Sequence, residues 1–270
     1  MKRLSALVFF ILLFNLHPAN AVDVLPEPFF KYLGSKYLAN PGVILIDGSS
    51  NEIVYESGSD KPRTPASVLK VISTSAMALT LDSSTVFKTA LYKTEKKGVF
   101  VIWGENDPWI TSNAKYRDAN KRAYMPTLIK AAFASDKSLK KITLVYKGVN
   151  NSDILYAKRA LNRRSSVAYK PISKNVEVES LVTEKIAEVS SPPLHKMIRF
   201  ALLYSDNVLS QRLAMVATGR SGYPLTRTGM NQMIKDKISS IGVDTTGMKF
   251  VDGSGLGGEN RVSAITVSQL

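Results

Sequence analysis

A serine and a lysine stand three positions apart at the start of a predicted helix, and this pair constrains the fold more than any other feature. The pair is Ser67 and Lys70, in the run TPASVLK over 64–70. Residues i and i+3 share one face of a helix, so the amine can lie within hydrogen-bond distance of the hydroxyl. Pro65 is tolerated in a first helical turn. The segment predicts a helix from about Thr64 to about Leu81 that carries a nucleophile beside its own base.

A second polar motif lies downstream between two apolar stretches. It is Ser205-Asp206-Asn207, whose residue types favour helix caps and turns. The structural interpretation is a polar junction between helices over 193–204 and 208–218, and such a junction can also turn side chains toward a cleft. Ser-x-x-Lys followed by Ser-Asp-Asn is the motif order of penicillin-binding proteins and serine β-lactamases. The two motifs together therefore favour a catalytic interpretation.

Further segments narrow this resemblance to one family. They are SSPPL at 190–194, VDGSGL at 251–256 with Asn260 after it, and WGENDP at 103–108. The chain resembles the D-alanyl-D-alanine carboxypeptidase/endopeptidases, the low-molecular-mass class C penicillin-binding proteins, over 42–270 and most strongly over 62–81 and 190–260. Without the resemblance, the segment 252–255 is equally consistent with a tight turn that has no chemical role.

The resemblance implies an α/β (α+β) fold, the penicillin-binding protein/serine β-lactamase-like transpeptidase fold with a small inserted α/β subdomain. We divide the chain into a signal peptide (1–21), the N-terminal part of the transpeptidase-like domain (22–82), the inserted subdomain (83–189) and the continued transpeptidase-like domain (190–270). Ser67 and Ser205 must then meet in one cleft across the insertion.

Patterning predicts the elements within these parts. A hairpin is expected over 41–56. In the insertion we expect strands at 88–93, 99–103 and 141–148, a helical region with a proline break over 118–134, an irregular polar segment over 162–174, and a strand pair or short helix over 176–189. Helices are expected from 193 to 241, with a glycine-rich segment to 258.

The resemblance also implies roles for the motif residues. Ser67 would attack the carbonyl between two D-alanines and form an acyl-enzyme, with its backbone N–H in the oxyanion hole. Lys70 would accept the hydroxyl proton, Ser205 would relay a proton to the leaving amine, and Asn207 would position the substrate amide and Lys70. Asp206 is assigned to structure. The implied partners are a peptidoglycan peptide ending in D-Ala-D-Ala and β-lactams as covalent inhibitors, and no cofactor or metal is implied.

Composition independently favours lysine as the base. The chain has no cysteine and two histidines, which excludes disulfides, a cysteine nucleophile and cysteine-based zinc sites. His17 falls in the predicted signal peptide, so a Ser-His-Asp triad would have to use His195, at a predicted helix start where a capping or surface role is expected. Lysine is then the available base for an activated serine.

The N-terminus has the pattern of a secretory signal. Met1-Lys2-Arg3 precedes an apolar run over 6–14 and the cleavage pattern Ala19-Asn20-Ala21. The apolar run is shorter than the roughly 20 residues of a membrane span. We expect an exported protein, periplasmic or extracellular, associated with the cell wall and without a stable membrane span. The net charge is +14 at pH 7, but the basic residues are scattered without interleaved aromatic residues. We therefore expect the anionic envelope, and not nucleic acid, as the acidic partner.

One expected motif departs from the pattern. The superfamily's Lys-Thr-Gly should follow Asp252 at some distance, and the sequence reaches Leu270 without it. Arg227-Thr-Gly229 precedes Asp252 and leads into a predicted helix, so we reject it as the third motif. We expect either a longer protein or an inactive remnant, and poor folding of 22–270 on its own. The alternatives are a serine β-lactamase or esterase of the same fold, and a non-catalytic wall-binding protein.

Overall fold

Two hydrophobic cores organise the part of the chain that the structure describes. The computed structural model describes residues 25–161 and 166–270, and the predicted signal peptide lies outside them. One core lies among helices and the other lies against one face of a five-stranded sheet. The mixed α/β architecture agrees with the predicted fold class.

The first core, which we call the helical core, is built by four helices. They are α2 (Leu69–Ala78), α6 (Leu194–Leu203), α7 (Asn207–Arg220) and α8 (Arg227–Ser239). In α7, Leu209, Leu213 and Ala217 recur every four residues, so they share one face, and all three are fully buried. This face packs against α2, and α7 therefore begins beside the residues that precede α2.

The second core belongs to a sheet subdomain in the order β6-β5-β4-β3-β7. Its strands are β3 (Lys88–Lys93), β4 (Val99–Gly104), β5 (Lys141–Lys147), β6 (Ser166–Pro171) and β7 (Lys185–Ser190). β3 runs antiparallel to β4 and β7, whereas β5 runs parallel to β4 and β6. Parallel neighbours need crossover connections, which α4 (Met125–Ala134) and α5 (Asn151–Ala160) provide.

The predicted elements of the sheet subdomain are partly confirmed. β3, β4 and β5 lie within one residue of their predicted positions. The helical region over 118–134 is two helices, α3 (Ala114–Asn120) and α4, because Lys121 takes a left-handed conformation with φ of 52° and Pro126 lies in the first turn of α4 instead of interrupting it. The segment 162–174 was wrongly expected to be irregular, since β6 lies within it, and α5 was not predicted.

The predicted helix around Ser67 also needs correction. Residues 66–68 form a 3-10 turn, and α2 runs from Leu69 to Ala78 instead of from Thr64 to Leu81. Ala66 has a φ of 47°, a conformation that an α-helix does not accept, so the helix cannot extend back through it. Ser67 consequently lies in the turn that leads into the helix.

The N-terminal hairpin is confirmed as a two-stranded antiparallel sheet of β1 (Val43–Ile46) and β2 (Ile53–Ser57). The short helix α1 (Glu27–Leu33) places Phe29 against Tyr55 with ring centroids 5.4 Å apart, and α9 (Ala264–Ser268) contacts β1. Among the described residues, no helix has both the length and the apolar character needed to cross a membrane.

Candidate active site

The turn that carries Ser67 packs against a glycine-rich loop. Ala66 has a φ of 47°, in the left-handed region that favours glycine. Gly255, with a φ of 88°, lies so close to this turn that a Cβ on it would be 1.7 Å from the carbonyl oxygen of Ala66. Residue 255 must therefore be glycine for the loop to hold the Ser67 turn in this position.

The Lys70 amine reaches the Ser67 hydroxyl from within the core. Only 1% of Lys70 is exposed, and its Nζ donates to Ser67 Oγ at 3.0 Å and to the carbonyl oxygen of Ser254 at 2.7 Å. Burial lowers the pKa of Lys70, while the negative charges of Asp252 and Asp206 oppose that shift. The net shift raises the fraction of neutral amine, the form that can accept a proton.

Ser205 completes a chain of three side chains. Its Oγ donates to Ser67 Oγ at 2.9 Å, although the two residues are 138 positions apart. Ser205 has a φ of 51°, so its backbone takes an uncommon conformation at the junction of α6 and α7. The predicted meeting of the first two motifs in one site agrees with this geometry.

Asn207 is not part of this hydrogen-bonded set of three side chains. It is the first residue of α7 and is half-buried. Within the described residues, no hydrogen bond links its amide to Lys70. The structure thus brings Ser67, Lys70 and Ser205 together but gives no direct contact for the expected positioning of Lys70 by Asn207.

The loop around Asp252 supplies a group that sequence reasoning missed. Asp252 accepts hydrogen bonds from the backbone N–H groups of Ser254 and Gly255, both at 2.7 Å, and of Gly257 at 2.6 Å. Burial alone would raise the pKa of Asp252, but hydrogen bonds from the side chains of Ser254 and Asn260 and from the backbone N–H groups of Ser254 and Gly257 hold it well below its usual value. The folded loop then presents the Ser254 carbonyl to Lys70.

The same loop is packed against two helices of the helical core. Gly253 donates its N–H to Gln211 Oε1 at 2.6 Å and accepts a hydrogen bond from Ser73 Oγ at 2.7 Å. A Cβ on Gly253 would lie 2.5 Å from the Cβ of Ala214. The motif Asp252-Gly-Ser-Gly255 is therefore a turn, as its sequence indicates, but one whose shape also orients the Lys70 amine.

Asp206 has the structural place expected for it. Its Oδ1 accepts the N–H of Leu209 at 2.9 Å, which caps α7, and its Oδ2 forms an ion pair with Arg122. Arg122, from the sheet subdomain, was not predicted. A single arginine within the predicted helical region 118–134 gives no pattern that could have identified it.

Two other groups considered in the sequence lie outside this chain of contacts. The His195 ring bonds to the carbonyl oxygen of Ser83. Arg227-Thr-Gly229 begins α8, which Thr226 caps, so it does not lie on a strand. The described residues contain no group of three or more histidine, cysteine, aspartate or glutamate side chains that could hold a metal ion.

The fold is that of solved penicillin-binding proteins. Penicillin-binding protein 4 from Haemophilus influenzae has the same fold, with a TM-score of 0.64 at 16% identity over 84% of this chain and 73% of its own. In a complex with a β-lactam, the same protein superposes with a TM-score of 0.65 at 17% identity over 93% of this chain and 76% of its own. A predatory peptidoglycan endopeptidase from Bdellovibrio bacteriovorus gives 0.54 at 17% identity, over 86% and 68%.

The sequence identifies the family to which the chain belongs. It matches the D-Ala-D-Ala carboxypeptidase 3 (S13) family over residues 35–116 and 155–270, and the chain belongs to this family. A carboxypeptidase of Mycolicibacterium smegmatis is 27% identical over 86% of this chain and 61% of its own length. A carboxypeptidase of Mycobacterium tuberculosis is 21% identical over 83% and 58%. The chain thus spans about three fifths of the length of these curated relatives.

Proposed function

We propose that this protein is a serine-type D-Ala-D-Ala carboxypeptidase/endopeptidase that acts on peptidoglycan peptides and is acylated by β-lactams. The observation that carries the proposal is the hydrogen-bonded chain in which Ser67 Oγ contacts both Lys70 Nζ, at 3.0 Å, and Ser205 Oγ, at 2.9 Å. A nucleophile with an adjacent base and a second hydroxyl for proton transfer is the equipment that covalent peptide cleavage requires. Membership of the family supports the same chemistry.

Acylation would begin at the Ser67 hydroxyl. Neutral Lys70 takes the hydroxyl proton while Oγ attacks the carbonyl carbon between the two D-alanines. The negative charge that develops on the carbonyl oxygen would be stabilised by hydrogen-bond donors that include the Ser67 backbone N–H. The burial that lowers the pKa of Lys70 supports this step because it raises the neutral fraction of the amine.

Collapse of the intermediate would then break the C–N bond. Ser205 gives a proton to the leaving amine and regains one from Lys70, so the proton that Lys70 took leaves with D-alanine and the base returns to its neutral form. Water attacks the resulting Ser67 ester, releases the shortened peptide and restores the hydroxyl. In endopeptidase action, the leaving amine belongs to a cross-linked peptide instead of to a terminal D-alanine.

Asn207 is proposed to bind the substrate. It begins α7 two positions after Ser205, whose hydroxyl contacts Ser67, and it is half-buried. Its amide can both donate and accept hydrogen bonds, as the backbone of an extended peptide requires. Its proposed role is to hold the substrate amide beside the nucleophile.

The proposed place of action is the cell wall, where peptidoglycan substrates lie. Family membership supports a cell-wall compartment, and we propose that the signal peptide over 1–21 directs export. Mass spectrometry of the protein from an expressing bacterium tests this point. A mature chain that begins at Val22 supports cleavage, whereas an intact N-terminus in a cytoplasmic fraction contradicts it.

The activity is tested by D-alanine release. The whole protein is incubated with a peptide ending in D-Ala-D-Ala, with the Ser67→Ala variant as control. Release of free D-alanine by the parent alone supports the proposal. Rapid turnover of benzylpenicillin without D-alanine release would instead favour the β-lactamase of the same fold. A folded parent without either activity would favour a wall-binding protein.

A further inference from the structure

Arg122 is buried where the sheet subdomain meets the helical core. It follows α3, and only 5% of it is exposed. Its guanidinium carbon lies 4.7 Å from the ring centroid of Trp109 and 5.7 Å from that of Tyr116, both in the segment between β4 and β5, and 5.4 Å from that of Phe200 in α6. Three aromatic rings therefore fix the guanidinium at this boundary. Arg122 lies in 117–154, a stretch outside the family match.

The partner of this guanidinium is the middle residue of the second motif. Arg122 Nη2 bonds Asp206 Oδ2, while Asp206 Oδ1 caps α7 at the Leu209 N–H. A helix cap requires only one side-chain oxygen, and asparagine supplies one as well as aspartate does. The second oxygen of Asp206 therefore ties the start of α7 to the sheet subdomain.

Ser205, the neighbour of Asp206, is the residue whose position this tie affects. Its φ of 51° is uncommon for a residue with a side chain, and such a conformation persists only where the surroundings impose it. In this conformation its Oγ lies 2.9 Å from Ser67 Oγ. Asp206 follows Ser205 directly, and its side-chain contacts with Leu209 and Arg122 hold the backbone next to this turn.

We propose that Arg122 is a positioning residue, which holds the Ser205 hydroxyl at the nucleophile through its ion pair with Asp206. The inference rests on the proposed function, because it concerns the reaction of Ser67. The sheet subdomain would then be part of the reaction machinery through one guanidinium, in addition to any contacts that it makes with substrate.

A second ion pair at the same boundary provides a matched control. Arg212, further along α7, donates to Asp153 at 3.0 Å and to the carbonyl oxygen of Ile110 at 2.7 Å. Here the arginine lies in the helical core and the carboxylate in the sheet subdomain, the reverse of the first pair. Loss of Arg212 removes a comparably buried link without touching Asp206 or Ser205.

The test compares the variants Arg122→Gln, Arg122→Lys, Asp206→Asn and Arg212→Gln in the whole protein. Stopped-flow measurement with a fluorescent penicillin separates initial binding from the acylation rate constant. Arg122→Gln and Asp206→Asn are expected to slow acylation about 10- to 100-fold, as a displaced catalytic hydroxyl does. Initial binding should change less than about threefold, because Ser205 acts on proton transfer. Arg122→Lys should recover part of the rate, and Arg212→Gln should remain within about threefold of the parent.

Hydrogen exchange of the segment 201–210 gives a readout that does not need the chemistry. Faster exchange in Arg122→Gln and Asp206→Asn, but not in Arg212→Gln, supports the inference. An unchanged acylation rate in folded Arg122→Gln, or an equal loss in Arg212→Gln, would overturn it. A parent that penicillin never labels would overturn the proposed function instead. In that case, unchanged exchange of the segment 201–210 in Arg122→Gln would also overturn the positioning role.

Discussion

The Lys70 amine gives Ser67 its proposed reactivity because it is both buried and directed. Burial lowers its pKa, and the charges of Asp252 and Asp206 limit that effect. The Ser254 carbonyl accepts one of its hydrogen bonds at 2.7 Å and the Ser67 hydroxyl another at 3.0 Å. An exposed lysine would keep its ordinary pKa and would not be held against one oxygen.

Removal of this amine should abolish acylation with little effect on binding. In Lys70→Ala the Ser67 proton has no acceptor, and the loss of a general base typically costs about 100- to 10,000-fold in rate. Stopped-flow acylation by penicillin measures the effect, with Lys130→Ala, an exposed lysine on α4, as control. A rate constant within tenfold of the parent in Lys70→Ala would assign Lys70 to structure.

The pH dependence of acylation should follow the same amine. Only neutral Lys70 accepts a proton, so the acylation rate constant should rise with pH through the pKa of Lys70. That pKa lies below its ordinary 10.5, so the rise should also lie below it. The measurement is a pH profile of acylation over the range in which circular dichroism shows intact fold. A rate that falls as pH rises in that range would contradict the assignment.

The sequence predicted the part of this site that depends on local spacing along the chain. Ser67 and Lys70 are three positions apart, so their contact follows from helical spacing, even though the serine lies in a 3-10 turn. The Ser254 carbonyl could not be predicted, because a backbone acceptor 184 positions away depends on the shape of a loop. The Arg122–Asp206 pair likewise joins two subdomains and leaves no periodic pattern.

At the scale of elements, the site depends on contact between one loop and one turn. The loop over 252–257 folds around the Asp252 carboxylate, which accepts three backbone N–H groups. Gly255 lets this loop approach the carbonyl of Ala66, directly before the nucleophile. The absence of a side chain at Gly255 thus allows the loop to pack against the turn that carries Ser67.

A comparison of two glycines with nearly the same φ distinguishes the effect of this contact from the effect of backbone strain. Gly255 and Gly242 have φ values of 88° and 87°, but a Cβ on Gly242 would meet nothing within 4 Å. Gly242→Ala should cost about 1–2 kcal/mol of left-handed strain. Gly255→Ala should lower the free energy of unfolding by more and also slow acylation. Urea unfolding and penicillin labelling measure both effects, and equal stability losses with normal labelling would show that the close approach has no role.

Element prediction from sequence succeeded where apolar patterning was strong. β3, β4 and β5 contain runs such as FVI at 100–102 that are buried in the sheet. The helix α5 was missed because half of its sequence, NSDILYAKRA, is polar and it buries only Asp153, Ile154 and Ala157. β6 is an edge strand with lysine and proline in its sequence, which are typical of edges and not of buried strands.

At the scale of the whole molecule, one carboxyl group is buried near the boundary between the sheet subdomain and α7. Asp107, in the predicted turn at 103–108, is 1% exposed. Burial raises its pKa to about 7, and the negative charge of Asp153 adds to this, while the Trp109 N–H and Arg212 oppose it. The native protein therefore keeps a proton on Asp107 that the unfolded chain loses near its ordinary pKa of about 3.9.

Stability should consequently depend on Asp107 in a defined direction. A folded pKa above the unfolded value means that the stability contribution is complete below about pH 4 and is lost as pH rises toward about 7. Asp107→Asn, which cannot ionise, should gain stability relative to the parent as pH rises from 4 to 8. Thermal unfolding across this range measures the difference, with the exposed Asp60→Asn as control. A difference that is constant with pH would contradict the buried protonated carboxyl.

The arrangement of the molecule was predictable only in part. The described strands of the sheet subdomain span 88–190, close to the insertion proposed at 83–189. Sequence spacing indicated that something separates the two motifs. It could not indicate that reciprocal ion pairs, Arg122–Asp206 and Arg212–Asp153, fasten the insertion to α7, because such pairs form only after both parts have folded.

The measurement that tests the central claim most directly is the intact mass of the whole protein after treatment with benzylpenicillin, followed by peptide mapping. The account predicts one adduct with the mass of the intact drug on the peptide that contains Ser67, and no adduct in Ser67→Ala. An adduct that persists in Ser67→Ala, or a folded parent that never gains mass, would contradict the assignment of Ser67 as the nucleophile.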